Sequence, residues 1–310
     1  MQRRILVGDI GGTKTELALV SDGILFDRME RFPSKDYDSL EAIISKFLGN
    51  ERIDIACFGI AGPIKNGVCH TTNLPWTIES TKISKQFNIP NVFLLNDLTA
   101  SAYGINKIPN EKLYTINQGE LSLCENKALI SPGTGLGEAL IIYDGTKHIP
   151  ISSEGGHTDF APRNEREIEL YRYLREKFSH VSYERILSGE GLSGLYSFIA
   201  EGEKRNPEDI TKEALSIKNP TKAKCALKWF CEILGAEAGN LALKGYAIGG
   251  IYIGGGIPPK ILEVLKEGDF MVGFLDKGRF GSLLKKIPVH VILDPYSTLF
   301  GALYFCKLQK

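Results

Sequence analysis

Ile5-Leu6-Val7-Gly8-Asp9-Ile10-Gly11-Gly12-Thr13-Lys14-Thr15-Glu16-Leu17-Ala18-Leu19-Val20 sets the character of the chain. Residues 5–7 form a short apolar strand ending in Gly8-Asp9. Gly11-Gly12-Thr13-Lys14 is a turn, and residues 16–20 are apolar again. A Ser-Asp-Gly turn follows, and residues 24–28 read as a third strand, so the chain opens as an antiparallel strand-turn-strand-turn-strand. The first turn looks like a P-loop but fails as one. G-x-x-x-x-G-K-S/T puts Gly where Thr13 stands, and a helix should follow. Here Glu16-Leu17-Ala18-Leu19-Val20 is strand-like. A hairpin of this kind offers backbone N–H groups and the Thr13 hydroxyl to phosphate oxygens, and its glycines admit a phosphate close to the backbone. Taken alone, it also reads, less readily, as a plain tight turn. Asp9, just after the strand, is hard to explain structurally; a carboxylate there can position Mg²⁺, directly or through water. No G-x-G-x-x-G follows the first strand, so a Rossmann dehydrogenase fits poorly.

Beyond this stretch, strands and helices alternate. Residues 40–48 carry apolar side chains at helical spacing, 53–60 form a strand ending in Ala61-Gly62-Pro63, and 78–87 read as a helix stopped by Pro90. Residues 92–95 form a strand with Asn96-Asp97 at its C-terminal end, and 98–103 start a helix. A second unit begins near Asn106. Residues 128–130 lead into Pro132-Gly133-Thr134-Gly135-Leu136-Gly137, with 139–143 as the partner strand. Helices are expected at 165–178, 192–201, 223–243 and 299–308, and strands at 249–253, ending in Gly254-Gly255-Gly256, and at 288–293. The alternation predicts an α/β protein of two lobes with a cleft: a small domain over 1–105 completed by 295–310, and a large one over 106–294. A Gly/Thr hairpin opens each half, which suggests two phosphate-facing turns.

Composition is that of an ordinary globular chain: 310 residues, 43% hydrophobic and 24% charged. Lys plus Arg equals Asp plus Glu at 37 each, so no general pull toward nucleic acid or anionic membrane is expected. Apolar runs fall well short of the roughly 18 residues of a membrane span, and the N-terminus lacks a signal-peptide pattern. The six cysteines are scattered without CxxC spacing and read as free, buried thiols in a reducing compartment.

Several segments can carry chemistry. Asp97 at a strand's C-terminal end can accept the proton of an attacking hydroxyl while Asn96 orients a sugar; the same pair also reads as an Asx turn or helix cap. Glu154-Gly155-Gly156-His157 offers a carboxylate and an imidazole around a Gly-Gly turn, and Glu184 offers another carboxylate, though by itself it reads as a solvated charge. Carboxylates hold sugars by accepting from vicinal hydroxyls. Gly133 and Thr134 form a second phosphate cradle, and Gly254-Gly255-Gly256 suits a nucleoside packed on backbone.

Together these segments resemble the bacterial glucokinase family, sugar kinases of the actin-like ATPase superfamily with its ribonuclease H-like fold. The resemblance runs nearly end to end. Its most specific pieces are Thr72-Asn73-Leu74-Pro75-Trp76, Leu95-Asn96-Asp97, Pro132-Gly133-Thr134-Gly135-Leu136-Gly137, Ser153-Glu154-Gly155-Gly156-His157-Thr158-Asp159-Phe160 and Glu184-Arg185-Ile186-Leu187-Ser188-Gly189. It implies that Asp97 is a catalytic base. Asn73, Asn96, Gly137, Glu138, Glu154, His157 and Glu184 would contact glucose. Asp9, Gly11, Gly12, Thr13, Lys14, Gly133 and Thr134 would hold the phosphates of ATP, Gly254, Gly255 and Gly256 would lie on the adenosine side, and Asp9 would serve Mg²⁺. A cytoplasmic homodimer acting on a small molecule, with no nucleic-acid or membrane partner, is the corresponding expectation. The related repressor, open-reading-frame and kinase family carries a cysteine-rich zinc motif after Glu-x-Gly-His; here Thr158-Asp159-Phe160-Ala161-Pro162-Arg163 has no cysteine. A kinase for another hexose or N-acylated hexosamine, and a non-catalytic sugar sensor or actin-like assembly protein, are the competing readings.

Overall fold

The computed structural model describes residues 3–21, 23, 25–71, 73–216 and 221–309. The opening stretch forms β1 (Ile5–Ile10) and β2 (Lys14–Val20), paired antiparallel with Asp9 opposite Glu16. The next strand is β3 (Arg28–Pro33), later than residues 24–28. Asp22 and Ile24, on which that expectation partly rested, lie outside the described residues. The cause of the shift is local. The Asp27 carboxylate accepts from the Ser21 N–H at 2.6 Å, and the Asp27 N–H donates to the Leu19 carbonyl at 2.8 Å. The chain therefore turns before pairing resumes at Arg28, opposite Leu19.

Helix α1 (Leu40–Leu48) is capped by the Ser39 hydroxyl, which accepts from the Ala42 N–H, and it buries Leu40, Ile43, Ile44, Phe47 and Leu48. After β4 (Ile55–Ile60) comes a small antiparallel sheet of β5 (Ile64–Lys65), β6 (Val68–His70) and β7 (Thr77–Glu79). Pairing of β7 with β6 delays α2 to Ser80–Phe87. β8 (Asn91–Asn96) leads directly into α3 (Asp97–Gly104). The five-stranded sheet has the order β3-β2-β1-β4-β8, with β1, β4 and β8 parallel. Every residue of β4 is buried, as a continuously apolar strand covered on both faces should be.

The chain then forms β9 (Leu113–Asn117), β10 (Lys127–Pro132), β11 (Leu136–Tyr143) and β12 (His148–Ser153). Four helices follow: α4 (Glu165–Arg175), α5 (Gly189–Ile199), α6 (Pro207–Ser216) and α7 (Lys222–Gly245). β13 (Ile251–Ile253), α8 (Leu262–Leu265), α9 (Asp269–Leu275), α10 (Gly281–Leu284), β14 (Val289–Ile292) and α11 (Ser297–Leu308) complete it. This second sheet runs β12-β11-β10-β13-β14-β9. Its first five strands repeat the pattern of the first sheet: an antiparallel hairpin, a third antiparallel strand outside it, and two parallel strands on the other side. The chain divides into two compact units, Met1–Pro109 with Asp294–Lys310, and Asn110–Leu293. No helix among the described residues is long and apolar enough to cross a membrane. Of the six cysteines, Cys124 and Cys225 are exposed and the other four are buried, all as free thiols.

The first unit has two cores, one on each face of its sheet. Leu6, Ile10, Leu17, Phe58 and Ile60 meet α1, while Ile5, Val7, Ala18, Ile55 and Cys57 meet Leu299, Ala302, Leu303 and Cys306 of α11. Alternation along β1 thus serves both layers. Helix α11 crosses α3 at backbone contact. A Cβ on Gly301 would lie 1.6 Å from the Ala100 carbonyl oxygen, and one on Gly104 would lie 2.7 Å from that of Ser297. Below them, a Cβ on Gly59 would lie 2.4 Å from Thr298 Cγ2 and 3.5 Å from Asp97 Cα. Gly301→Ala should therefore destabilise the protein by about 1–3 kcal/mol, because overpacking against rigid backbone outweighs the up to ~1 kcal/mol that Ala gains over Gly inside a helix. Thermal unfolding measures this, and an unchanged or higher Tm would contradict the close crossing.

Candidate active site

In the first unit, register brings the chemistry to one edge of the sheet. Asp9 on β1 is level with Gly59 on β4 and Leu95 on β8; one residue on, Ile10, Ile60 and Asn96 are level. These are the C-terminal ends of three parallel strands, where α/β folds place ligands. Asn96 caps α3, its Oδ1 accepting from the N–H groups of Leu98 at 3.1 Å and Thr99 at 3.2 Å. Its Nδ2 points to the Gly62 carbonyl at 3.5 Å. The cap reading of Asn96 is thus correct, and the cap is what fixes Asp97 as the first residue of the helix. Asp97 Oδ1 accepts from the Leu98 N–H at 2.8 Å. Burial raises the Asp97 carboxyl above its ordinary value, against that hydrogen bond, which lowers it. Asp9 is pushed up to about 7, chiefly by burial and next by the charge of Asp97. The two carboxylates share one electrostatic environment.

The β1–β2 turn lies beside them, closed by the Gly11 N–H donating to the Lys14 carbonyl at 2.9 Å. A Cβ on Gly12 would sit 2.5 Å from Asn73 Cβ, so the turn packs directly on Asn73. Thr72, next to it, lies outside the described residues. Lys14 Nζ is 2.7 Å from Glu16 Oε2.

The second unit interlocks three turns. In the β10–β11 turn the Gly133 N–H donates to the Gly135 carbonyl at 2.8 Å. Gly254-Gly255-Gly256 sits alongside: the Gly254 N–H donates to Ile130, and Gly255, at φ +85°, leaves 2.4 Å between a Cβ and the Pro132 carbonyl oxygen. Gly133, Thr134 and the three glycines therefore form one backbone surface, completed by the start of α5, whose Gly189 N–H donates to the Gly133 carbonyl at 3.0 Å. On the other side of the same hairpin, Glu184 Oε2 accepts from the Leu136 N–H at 2.9 Å. His157, in a short turn over Gly155–His157, has Nδ1 3.8 Å from Glu184 Oε1 and Nε2 4.0 Å from Glu154 Oε2. Carboxylate, imidazole and carboxylate form a row with Glu154 and His157 open to solvent.

Glu138 differs from its neighbours in that row. It is 2% exposed, its Oε1 has no hydrogen-bond partner among the described residues, and it lies under Gly155, whose Cβ would come within 2.1 Å of Glu138 Oε2. Strand alternation points Leu136 and Glu138 inward and leaves Gly137 at the surface. Glu138 thus underlies the Gly155–His157 turn. Burial, together with the charge of Glu237 on α7, pushes the Glu138 carboxyl up to about 8. The folded state then holds a proton that the unfolded state loses from about pH 4.5, so stability contributed at low pH is lost as pH rises through that window. Glu138→Gln should raise Tm at pH 8 and leave it nearly unchanged near pH 4.5. A difference that does not vary with pH, read by thermal melts across the range, would contradict this.

Glu16, Arg31, Gly59, Gly62 and the start of α5 stand at the site without being expected there. Only the strand spacing of Lys14 and Glu16, which puts both on one face, signalled any of them.

The glucokinase family model matches residues 6–309. A glucokinase of Nostoc punctiforme is 37% identical over 331 aligned positions, spanning 96% of this chain and 97% of that protein. The crystal structure of a glucokinase from an Antarctic psychrotroph superposes with a TM-score of 0.91 at 30% identity, over 100% of both chains. A glucokinase of Balamuthia mandrillaris, crystallised with glucose, shares the fold at 21% identity and a TM-score of 0.82, over 98% of this chain and 94% of that one. Near-complete coverage in both directions, at these identities, means that this chain belongs to the glucokinase family.

Proposed function

We propose that this chain transfers the γ-phosphoryl group of ATP to the 6-hydroxyl of D-glucose, giving glucose 6-phosphate and ADP. The observation that carries the reading is Asp97: a half-buried carboxylate at the C-terminal end of a parallel strand, fixed by a helix cap, whose proton affinity is raised by desolvation. Asp97 accepts the hydroxyl proton as that oxygen attacks. Asn73 and Asn96 orient the sugar on this side, and Glu154, His157 and Glu184 accept from or donate to its other hydroxyls, with Gly137 offering backbone. Gly11, Gly12, Thr13 and Lys14 hold phosphate oxygens, as do Gly133 and Thr134, while Gly254-Gly255-Gly256 accommodates the adenosine.

Among the described residues no group of three or more His, Cys, Asp or Glu side chains could hold a metal ion by itself. Mg²⁺ in phosphoryl transfer takes only one or two protein carboxylates and completes its shell with phosphates and water. Asp9, an oxygen donor whose ionisation is opposed by burial and by Asp97, fits that requirement, since a cation beside it relieves both. Bound with the nucleotide, Mg²⁺ supplies charge compensation for the phosphoryl oxygens.

Coupled measurement of ADP release with Mg-ATP and glucose, mannose, fructose, N-acetylglucosamine or N-acetylmannosamine tests the reading. Glucose-dependent release is expected; a strong preference for another sugar would contradict glucose as the acceptor, and release indifferent to every sugar would contradict kinase activity. Glu154→Gln and Glu184→Gln should each raise the sugar KM by roughly tenfold or more, as expected when a charged hydrogen-bond acceptor is lost. An unchanged sugar KM in both would remove their assigned role.

A further inference from the structure

Beside the Gly11-Gly12-Thr13 turn, three strands carry a row of charges of which the reaction as described uses Asp9 and Lys14 but not Glu16 or Arg31. Glu16 on β2 is directly opposite Asp9 on β1 and directly opposite Arg31 on β3, so all three side chains leave the same face of the sheet. Glu16 is only 2% exposed. Its Oε1 accepts from Arg31 Nε at 2.8 Å and Nη2 at 2.6 Å, and its Oε2 accepts from Lys14 Nζ at 2.7 Å. Two carboxylates directly opposite each other across a strand pair repel, and a buried carboxylate is costly unless paired. For stability alone, replacing such a buried ion pair by apolar residues is often neutral or favourable. What the carboxylate adds is a fixed place for two cations.

Lys14 gains most from this. It stands two residues before Glu16 on the same strand face, at the end of the turn, and its side chain is 42% exposed. An ammonium has three N–H donors. Glu16 takes one, and two remain for a ligand. A free lysine would lose its rotamer freedom on meeting a phosphate; one already tethered has lost part of it beforehand. Arg31 occupies the other carboxylate oxygen and contributes a second positive charge, so the trio keeps a net charge of +1 (two cations, one anion) beside the turn.

We propose that Glu16 is a positioning residue which, anchored by Arg31, holds the Lys14 ammonium at the turn to meet the terminal phosphates of the nucleotide. This rests on the reading of Lys14 as part of the phosphate grip. The test uses the full chain and its variants Lys14→Met, Glu16→Gln, Arg31→Met and the double variant Lys14→Met/Glu16→Gln. Calorimetric affinity for the magnesium complex of the non-hydrolysable analogue AMPPNP is measured without sugar, alongside the KM values for ATP and glucose, with thermal melts confirming that each variant is folded. Each single change should weaken AMPPNP by roughly tenfold, as expected for loss of a charge-assisted bond, and leave the glucose KM unchanged. The double variant should bind no more weakly than Lys14→Met alone, since Glu16 acts through that lysine. Effects that add in the double variant, or normal binding by Glu16→Gln where Lys14→Met is impaired, would overturn the proposal. Normal binding by Lys14→Met would instead overturn the phosphate-grip reading of Lys14, and the proposal with it.

Discussion

Backbone packed on backbone is the constraint from which the first unit's chemistry follows. Gly104 and Gly301 let α3 and α11 cross without side chains between them, and Gly59 lets that pair settle onto β4. With any larger residue at these points, α3 would have to lift from the sheet. Asp97 is the first residue of α3, so the crossing decides how close its carboxylate sits to Asp9 and how far it is removed from water. The helix that makes this possible comes from the last residues of the chain, so the site on the first unit is complete only when the C-terminal segment has packed onto the N-terminal sheet.

Electrostatics in both units depends on placing carboxylates where they are costly. The charge of Asp97 adds to burial in raising Asp9, and in the second unit the charge of Glu237 adds to burial in raising Glu138 beneath the Gly155–His157 turn; Asp97 and Glu237 are themselves raised by burial. Such pairs are poor stability elements. They are placed where a bound ligand or a proton can relieve them, which is the pattern expected of a site and not of a core. Glu154 and Glu184 are handled differently. One is exposed and the other is held by a backbone N–H, and the His157 ring lies beside both.

Much of this was legible because it is local. The β1–β2 hairpin follows from an apolar run, a Gly-Gly-Thr turn and a second apolar run, and Asn96-Asp97 announces itself at the end of a strand. What depends on register was not legible. The third strand was expected too early because Leu25 and Phe26 look like strand residues; Leu25 is in fact 77% exposed, and pairing begins only at Arg28. That same register is what brings Arg31 opposite Glu16, so no local pattern could reveal the trio. The inward direction of Glu138 depends on which face of β11 is covered, and that is decided by α7, far along the chain. The repetition of strand order in the two sheets was hinted at by two Gly/Thr turns, and the edge strands that complete it carry too little apolar signal to be read.

Separating binding from chemistry at Asp97 tests the account most directly. Glucose affinity of Asp97→Asn, measured by calorimetry, and its turnover with Mg-ATP should part company. Binding should stay within about threefold of the parent, since the amide keeps the size and an acceptor oxygen. Turnover should fall by roughly 10²–10⁴-fold, the range that a general base supplies. Turnover close to that of the parent protein, with glucose bound normally, would show that the proton leaves by another route and would contradict the central role given to this carboxylate.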